Sequence, residues 1–481
     1  MHRDLDRLTA RTFDLLVVGG GIYGLTIACD AAQRGLATAL IERNDFGSGS
    51  SFNHLRTIHG GLRYLQTLDI GRARESVLER RTLARIAPAA VRPLPFVLPL
   101  PRSLTTGPLA MRAGFLLDAV VSRDKNVHVP ESHRLPPGRV LSGEEARREF
   151  PALQDERFDA AAVWYDYVTA DADRLTLSWG LAADSYGAAL ANYVEATSLV
   201  IEHNRVTGVR ATDLAGGREL VVRARLIVNA TGAAIDGLLG QRLATKLPLL
   251  KAMNLVTARE APSAAIGGRT AAGKTLFMVP WKGRAVFGTW ESSTPCTPGD
   301  LPSREDEILS FLADIKVAFP FFTVDRGDVT LVHRGVVPAR VHLDGTAALE
   351  GHEQVVDHTR QGTEGLISVA GTKYTTARAV AERVVDRVVS KLGRAAAPCR
   401  TAMTPLPLSN LNGDRLLAHA ATHEMVVTLE DAVVRRTPLG ALGRPTPEAA
   451  AHAADIVGTA LTWTADQRRE ELERLDGFYR L

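Results

Sequence analysis

Apolar residues crowd positions 13–18, stop at a run of glycines, return with helical spacing, and crowd again before an acid: "FDLLVVGGGIYGLTIACDAAQRGLATALIER". The pattern predicts a buried strand over Phe13–Val18, a turn, a helix, and a second strand ending at Glu42. Gly19, Gly21 and Gly24 span the turn in G-x-G-x-x-G spacing. The first glycine permits the tight turn and the second lets backbone N–H groups approach a pyrophosphate. The third lets the helix pack on the sheet with its N-terminus toward the anion. A carboxylate closing the second strand accepts hydrogen bonds from ribose hydroxyls. Strand before, helix after and acid at this distance make the unit a dinucleotide site.

Further along, Arg72–Ile86 has helical spacing, and "VRPLPFVLPLPRS" is extended and punctuated by proline. Ser142 and Glu145 form a capping box, and a helix is expected from about Asp173 to Ala189. From Ala191 to Ala230 the pattern turns to strands, the last stopping at Asn229-Ala230-Thr231-Gly232, small enough to pass close to a bound cofactor. Leu247–Glu260 and Lys274–Trp290 read as strands of an antiparallel sheet covering a substrate. Near Gly365 a strand, a glycine turn and a helix follow, with Val380, Val384, Val388 and Leu392 along one side. Beyond about Ala395 the chain reads as a small helical appendage, with starts at Thr428, Thr446-Pro447 and Thr464.

At 481 residues, two or three structural regions are expected. Apolar content of 45% and charged content of 23% suit a soluble globular protein. A net charge of +3, from 57 basic and 54 acidic residues, gives no argument for nucleic acid. Cys29, Cys296 and Cys399 are too scattered for a metal site and read as unpaired thiols in a reducing compartment. No secretory signal and no apolar run long enough to cross a bilayer are visible, so a soluble or peripherally attached protein is expected.

The segment "GSGSSFNHLRTIHGGLRYL", Gly47–Leu65, places Asn53, His54, Arg56, His59, Arg63 and Tyr64 among glycines and serines, an unusual density of functional side chains for a solvent loop. With its flanking elements the chain resembles the FAD-dependent glycerol-3-phosphate dehydrogenases of the D-amino-acid-oxidase-like flavoproteins. The matching segments are "DLLVVGGGIYGLTIACDAAQRGL", "IHGGLRYL", "IVNATG" at Ile227–Gly232, "GTKYTTAR" at Gly371–Arg378, and the tail "TLEDAVVRRTPLG".

The resemblance implies an α/β fold: a Rossmann-like FAD-binding domain (1–90, 191–245 and 355–394), an antiparallel β-sheet substrate domain (91–190 and 246–354), and a small helical C-terminal domain (395–481). It implies FAD held by Gly19, Gly21, Gly24, Glu42, Arg43, Ser50, Ser51, His59, Gly60, Thr231, Gly232, Gly371, Thr372, Lys373 and Thr375, and no metal. It also implies that the helix beginning near Thr375 points its positive end at the flavin's carbonyl edge. A secondary alcohol would lose its proton to a base and its hydride to flavin N5. His59 is the candidate base, because an imidazole is the side chain suited to proton transfer near neutral pH, against a histidine that merely holds the loop. Arg63 is set to bind an anionic group, against a loop salt bridge. Tyr64 lines the pocket or packs. Lys373 stabilises an alkoxide or reduced flavin, against a surface lysine. Arg334 joins Arg63, Tyr64 and Lys373 as a substrate contact. Electrons would pass to a quinone or to oxygen. A cytoplasmic location, peripheral contact with the inner face of the cell membrane, and a homodimer complete the expectations.

One departure concerns the substrate. Where the family reads G-V-R-P, this chain reads Gly335-Val336-Val337-Pro338, and an acid, Asp357, falls where a second arginine is expected. Arg334 and Arg340 lie an odd three residues from Val337, on the other face of an extended strand. Arg56 and His358 are further candidates to hold the anion. The substrate is then glycerol 3-phosphate or a related polyol or hydroxy acid. An amine or amino-acid oxidase and a flavin-binding paralogue without turnover are the rivals.

Overall fold

The computed structural model describes residues 1–65, 67–103, 106–154 and 156–480. Its first sheet runs, in spatial order, Gln354–Asp357, Leu366–Ala370, Glu219–Asn229, Phe13–Val18, Thr38–Ile41 and Ala189–Ala191. Phe13–Val18 pairs in parallel with both Glu219–Asn229 and Thr38–Ile41. All six of its residues are buried, as a central parallel strand with both faces covered requires. One face is covered by the helices Ile22–Gln33, Ala172–Ser185 and Ala377–Leu392, whose Leu25, Leu175, Trp179, Val380, Val384 and Val388 share a core with Leu15 and Val17. The other face packs on the hairpin Val194–Glu202 and Arg205–Asp213 and the helix Ile235–Leu243.

The second sheet is largely antiparallel: Ala347–Leu349, Val329–Val341, Leu249–Glu260, Arg284–Glu291, Thr275–Trp281, Ala265–Arg269, Val91–Leu100, Ala160–Thr169 and Thr57–Ile58, with Arg139–Ser142 beside Ala160–Thr169. The segment Lys274–Trp290, expected to be strand, is a hairpin of Thr275–Trp281 and Arg284–Glu291. It turns at Lys282 and Gly283, both at positive φ, which suits the twist of the flanking strands.

Elements at the seam differ from the sequence division. Helix Ala172–Ser185 buries its apolar stripe against Ile22–Gln33, although it falls inside the expected substrate-domain segment 91–190, and Ala189–Ala191, which straddles the expected boundary, edges the parallel sheet. Thr57–Ile58, inside the expected cofactor segment, pairs with Ala160–Thr169 in the antiparallel sheet. In the tail, Thr428 and Asp431 exchange hydrogen bonds as expected of a helix start, but the turn that follows, Asp431–Arg436, is π-helical. The helices Pro447–Ala460 and Ala465–Phe478 open at Thr446 and Thr464 as their caps predict.

Candidate active site

The glycine turn is fixed by contact. Gly19 has φ +107°, and a Cβ there would stand 2.5 Å from the Ala230 carbonyl oxygen. A Cβ on Gly24 would stand 1.8 Å from the Gly19 carbonyl oxygen, so neither position accepts a side chain without moving backbone. The Glu42 carboxylate accepts the Gly20 N–H (2.6 Å) and the Asn44 N–H (2.8 Å). Burial pushes that carboxyl up while the two amides pull it down. Behind Gly21, the Ile22 N–H donates to Ser51 Oγ at 2.9 Å, so an oxygen acceptor already occupies the positive end of helix Ile22–Gln33. Arg43 is exposed, and Ser50 lies against Gly335.

Two further turns close on the same helix end. After Asn229, the Thr231 hydroxyl donates to Asn229 Oδ1 (2.7 Å), and Gly232 adopts φ +62°. From the other side, the Tyr23 hydroxyl donates to the Lys373 carbonyl at 3.0 Å, and a Cβ on Gly371 would strike that hydroxyl. Thr372 Oγ1 donates to the Glu350 carbonyl at 2.7 Å, and Thr375 is buried ahead of helix Ala377–Leu392. Small residues thus keep three turns open around one helix N-terminus, a cradle that fits the pyrophosphate of FAD.

His59 follows the short strand Thr57–Ile58, and its side chain is 49% exposed. Nδ1 lies 3.4 Å from Asp166 Oδ2, and Nε2 lies 2.6 Å from Thr57 Oγ1. Asp166, on strand Ala160–Thr169, also accepts the Gly60 N–H (2.7 Å), Trp164 Nε1 (3.3 Å) and a close ion pair from Arg80. Burial works to raise the Asp166 carboxyl, yet Arg80 and His59 hold it below the usual range. Gly60 is bare because Arg80 fills the space a Cβ would need. Sequence reasoning missed Thr57, Arg80 and Asp166. Asp166 lies 107 residues from His59 in sequence and reaches it only through strand pairing, so no local signal pointed to it.

Arg63 is exposed and makes no hydrogen bond or ion pair with a described residue. It acts on the cap carboxyl Glu291, which burial pushes up and Lys274 and Arg63 pull down. Tyr64 carries Lys373 Nζ over its ring, 4.0 Å from the centroid. Burial, with Arg72 nearby, lowers the Lys373 ammonium to about 8.

Arg334 is not brought to this place. Its neighbour His333 reaches Arg56 (3.2 Å), and a Cβ on Gly335 would meet Ser50, so those positions alternate toward the cofactor loops. Arg334 pairs across the sheet with Met253, which Ser303 touches from the opposite side. Lys251, paired with Val336, reaches Glu307 on that side too. Val337, by parity with Gly335, is on the cofactor side, beside Leu250, Ala339 and Ala347. The other substitutes are also engaged elsewhere. Arg56 is fully buried, pairs with Asp173 (3.3 Å) and stacks on Phe52 and Trp281. His358 is buried on Ser368 (2.8 Å), and Asp357 pairs with Lys391 (2.8 Å). Arg340 is exposed on the Arg334 face.

Comparison with known proteins agrees with this architecture. The family described as FAD dependent oxidoreductase (DAO) matches residues 14–387, and the chain belongs to it. Glycerol-3-phosphate dehydrogenase of Synechocystis sp. is 32% identical over 423 residues, covering 84% of this chain and 75% of that protein. The mitochondrial glycerol-3-phosphate dehydrogenase of Homo sapiens is 34% identical, over 81% of this chain and 54% of its own length, so the chain spans about half the length of the mitochondrial relatives. The crystal structure of glycerol-3-phosphate dehydrogenase from Bacillus halodurans complexed with FAD superposes with a TM-score of 0.75 at 22% identity, covering 98% of this chain and 96% of that one. Within the DAO class, this is a flavoprotein oxidoreductase of glycerol-3-phosphate dehydrogenase type, and its cofactor is FAD.

Proposed function

We propose that the chain oxidises the secondary alcohol of glycerol 3-phosphate, or of a closely related anionic polyol, giving dihydroxyacetone phosphate in the first case. The observation that carries this reading is the accessible His59 imidazole, backed by the ionised Asp166–Arg80 pair on the loop that also holds Arg63 and Tyr64. Bound FAD supplies the hydride acceptor, with Gly19–Gly24, Glu42, Ser51, Thr231 and the Gly371–Thr375 turn to hold it. Asp166 beside Nδ1 favours the tautomer with its proton there, leaving the Nε2 lone pair to the Thr57 hydroxyl. A substrate hydroxyl replaces that hydroxyl and passes its proton to Nε2. The imidazolium so formed is stabilised by Asp166. Arg63 and the Lys373 ammonium orient the anionic end of the substrate.

We further assign the parallel sheet with helices Ile22–Gln33, Ala172–Ser185 and Ala377–Leu392 to cofactor binding, and the antiparallel sheet to the substrate. No helix among the described residues is long and apolar enough to cross a membrane. Helix Pro108–Val121 instead turns Leu109, Leu116 and Val120 to solvent, Leu116 being 72% exposed, with the exposed Arg112 on the helix and Arg123 just past its end, neither in an ion pair among the described residues. Its inner side packs beneath Leu62, Tyr64 and Leu65. An apolar stripe edged by arginine suits an anionic membrane surface, which would bring a membrane quinone, the acceptor we favour over oxygen, near the site. Co-sedimentation with phosphatidylglycerol vesicles, lost in Leu116→Asp, is the expected result. Dimerisation of the wild type without vesicle binding would assign the face to a second copy.

The substrate test is anaerobic addition of glycerol 3-phosphate, glycerol, glycine and D-amino acids to the FAD-loaded protein. Flavin bleaching by the phosphoester alone supports the reading. Bleaching by the amines alone overturns it in favour of an amine oxidase.

A further inference from the structure

The arginine that the family pattern carries at 337 is absent here, yet near the end of the strand that carries Val337 stand two cations short of counter-ions. Lys373 Nζ stands over the Tyr64 ring, and the Arg72 guanidinium carbon lies 4.9 Å from the same centroid. Lys373 has no carboxylate within ion-pair distance among the described residues. Of the acids that act on it, Glu75 and Glu353 both pair with Arg383, and Asp69 meets Arg72. Arg72 meets one carboxylate oxygen, Asp69 Oδ2, through Nε at 3.5 Å, and Asp69 is also the cap of the helix Ile70–Ile86. Arg72 Nη2 is buried with no hydrogen-bond partner.

The backbone around Arg72 is shaped to admit it. A Cβ on Gly351 would stand 2.7 Å from Nη1 and 2.9 Å from Nη2, so the guanidinium lies directly on bare main chain. Residue 350 ties that segment to both neighbours. Its N–H donates to the Pro338 carbonyl (3.0 Å), next to Val337, and its carbonyl accepts Thr372 Oγ1 (2.7 Å), next to Lys373. Residues distant in sequence thus converge on one corner: Arg72 from the helix after the His59 loop, Lys373 from the flavin turn, and the end of the strand that carries Val337.

We propose that Arg72 and Lys373, set on the Tyr64 ring, form an oxyanion site that takes the phosphomonoester end of the substrate in place of an arginine at 337. The inference rests on the phosphoester reading above and names the group that makes it specific. Holding two cations against one ring, in partly buried surroundings, is unfavourable until an anion arrives. The depressed Lys373 pKa reports the same frustration, with burial first and Arg72 second among its causes. A guanidinium offers a phosphate paired donors, and Arg72 has its Nη2 donors free to give.

The test uses the FAD-loaded full chain and inorganic phosphate as probe, followed by calorimetry and by competition with glycerol 3-phosphate. Arg72→Met keeps the stem on Tyr64 and removes the charge. It should weaken phosphate binding by roughly tenfold or more and raise KM for the phosphoester by a similar factor. Arg72→Lys should recover part of both. The flavin absorbance and melting temperature check the fold. Should Arg72→Met fail to fold, Gly351→Ala, which displaces the guanidinium, must give the same loss. A wild type that does not bind phosphate, or variants that bind it as tightly as the wild type, would overturn the proposal. Phosphate binding that depends on Arg72, without flavin reduction by glycerol 3-phosphate, would keep this site and reject the substrate reading. Reduction by the phosphoester with unchanged KM in Arg72→Met would do the reverse.

Discussion

Two clusters of cations in this chain are treated in opposite ways. At the junction of the nucleotide loop and the C-terminal segment, Arg435 Nε and Arg436 Nη2 meet the two oxygens of Asp45, each at 2.6 Å, and Arg435 also pairs with Asp431 and Glu430, each at 2.7 Å. The two arginines and Asp45 are at most 4% exposed. Burial works to raise the Asp45 carboxyl, but Arg436 and Arg435 bring it down to about 2. At the corner proposed for the substrate, Arg63 and Lys373 have no carboxylate within ion-pair distance among the described residues, and Arg72 has one weak contact. Paired cations bind one part of the fold to another, here the tail to the loop after Glu42. Cations left short of partners beside a glycine-rich cradle are what a site awaiting an anionic ligand would show.

The comparison breaks most visibly at the junction. Arg436→Met leaves Asp45 short of a buried partner and should cost about 3–5 kcal/mol in denaturant unfolding, with much of it recovered by adding Asp45→Asn. A cost no larger than that of a surface pair would remove the junction from the account. The same pair predicts an acid limit. Asp45 has a depressed folded pKa, so its contribution is present above the ordinary aspartate range, near about 4, and drains as pH falls toward about 2. Acid unfolding of the wild type should therefore be steepest in that window, and the double variant should lose that steepness.

At the site, His59→Ala should slow flavin reduction on the order of 10²-fold while FAD content stays the same. Unchanged reduction would leave His59 only as a loop tether. Val337→Arg adds a cation on the face that looks toward the cofactor loops, and should tighten phosphoester binding roughly tenfold, as one charge-assisted hydrogen bond allows. No gain would mean that Arg72 and Lys373 already saturate the anion.

The smallest effect is on pH. With the Lys373 ammonium lowered to about 8, its charge is lost as pH rises through that value, so KM for the phosphoester should climb above about pH 8. The charged groups acting on it are Arg72, Glu75, Glu353 and Asp69. Bound anion favours the ammonium, so any alkaline break in kcat should lie at higher pH than the break in kcat/KM. Lys373→Met should flatten the rise in KM.

The cofactor half of this picture was legible because glycines report backbone contacts directly: Gly19 and Gly24 are glycine where Ala230 and Gly19 itself leave no room. Helix caps at Ser142, Thr446 and Thr464 are equally local. Strand parity correctly set Arg334 and Arg340 apart from Val337, and by the same rule Arg334 should not have been placed at the substrate. What stayed hidden depends on pairing between distant strands. Asp166 reaches His59 because Thr57–Ile58 joins Ala160–Thr169, and Arg72 reaches Lys373 through the 350–351 corner. The tail motif named a family without revealing that its two arginines end on Asp45.

The most direct test is anaerobic stopped-flow mixing of the FAD-loaded chain with glycerol 3-phosphate, followed at roughly 450 nm, the cofactor's own band. The account predicts saturable bleaching by the wild type and a much slower trace for His59→Ala. An oxidised spectrum that glycerol 3-phosphate leaves untouched, while glycine or a D-amino acid bleaches it, would contradict it.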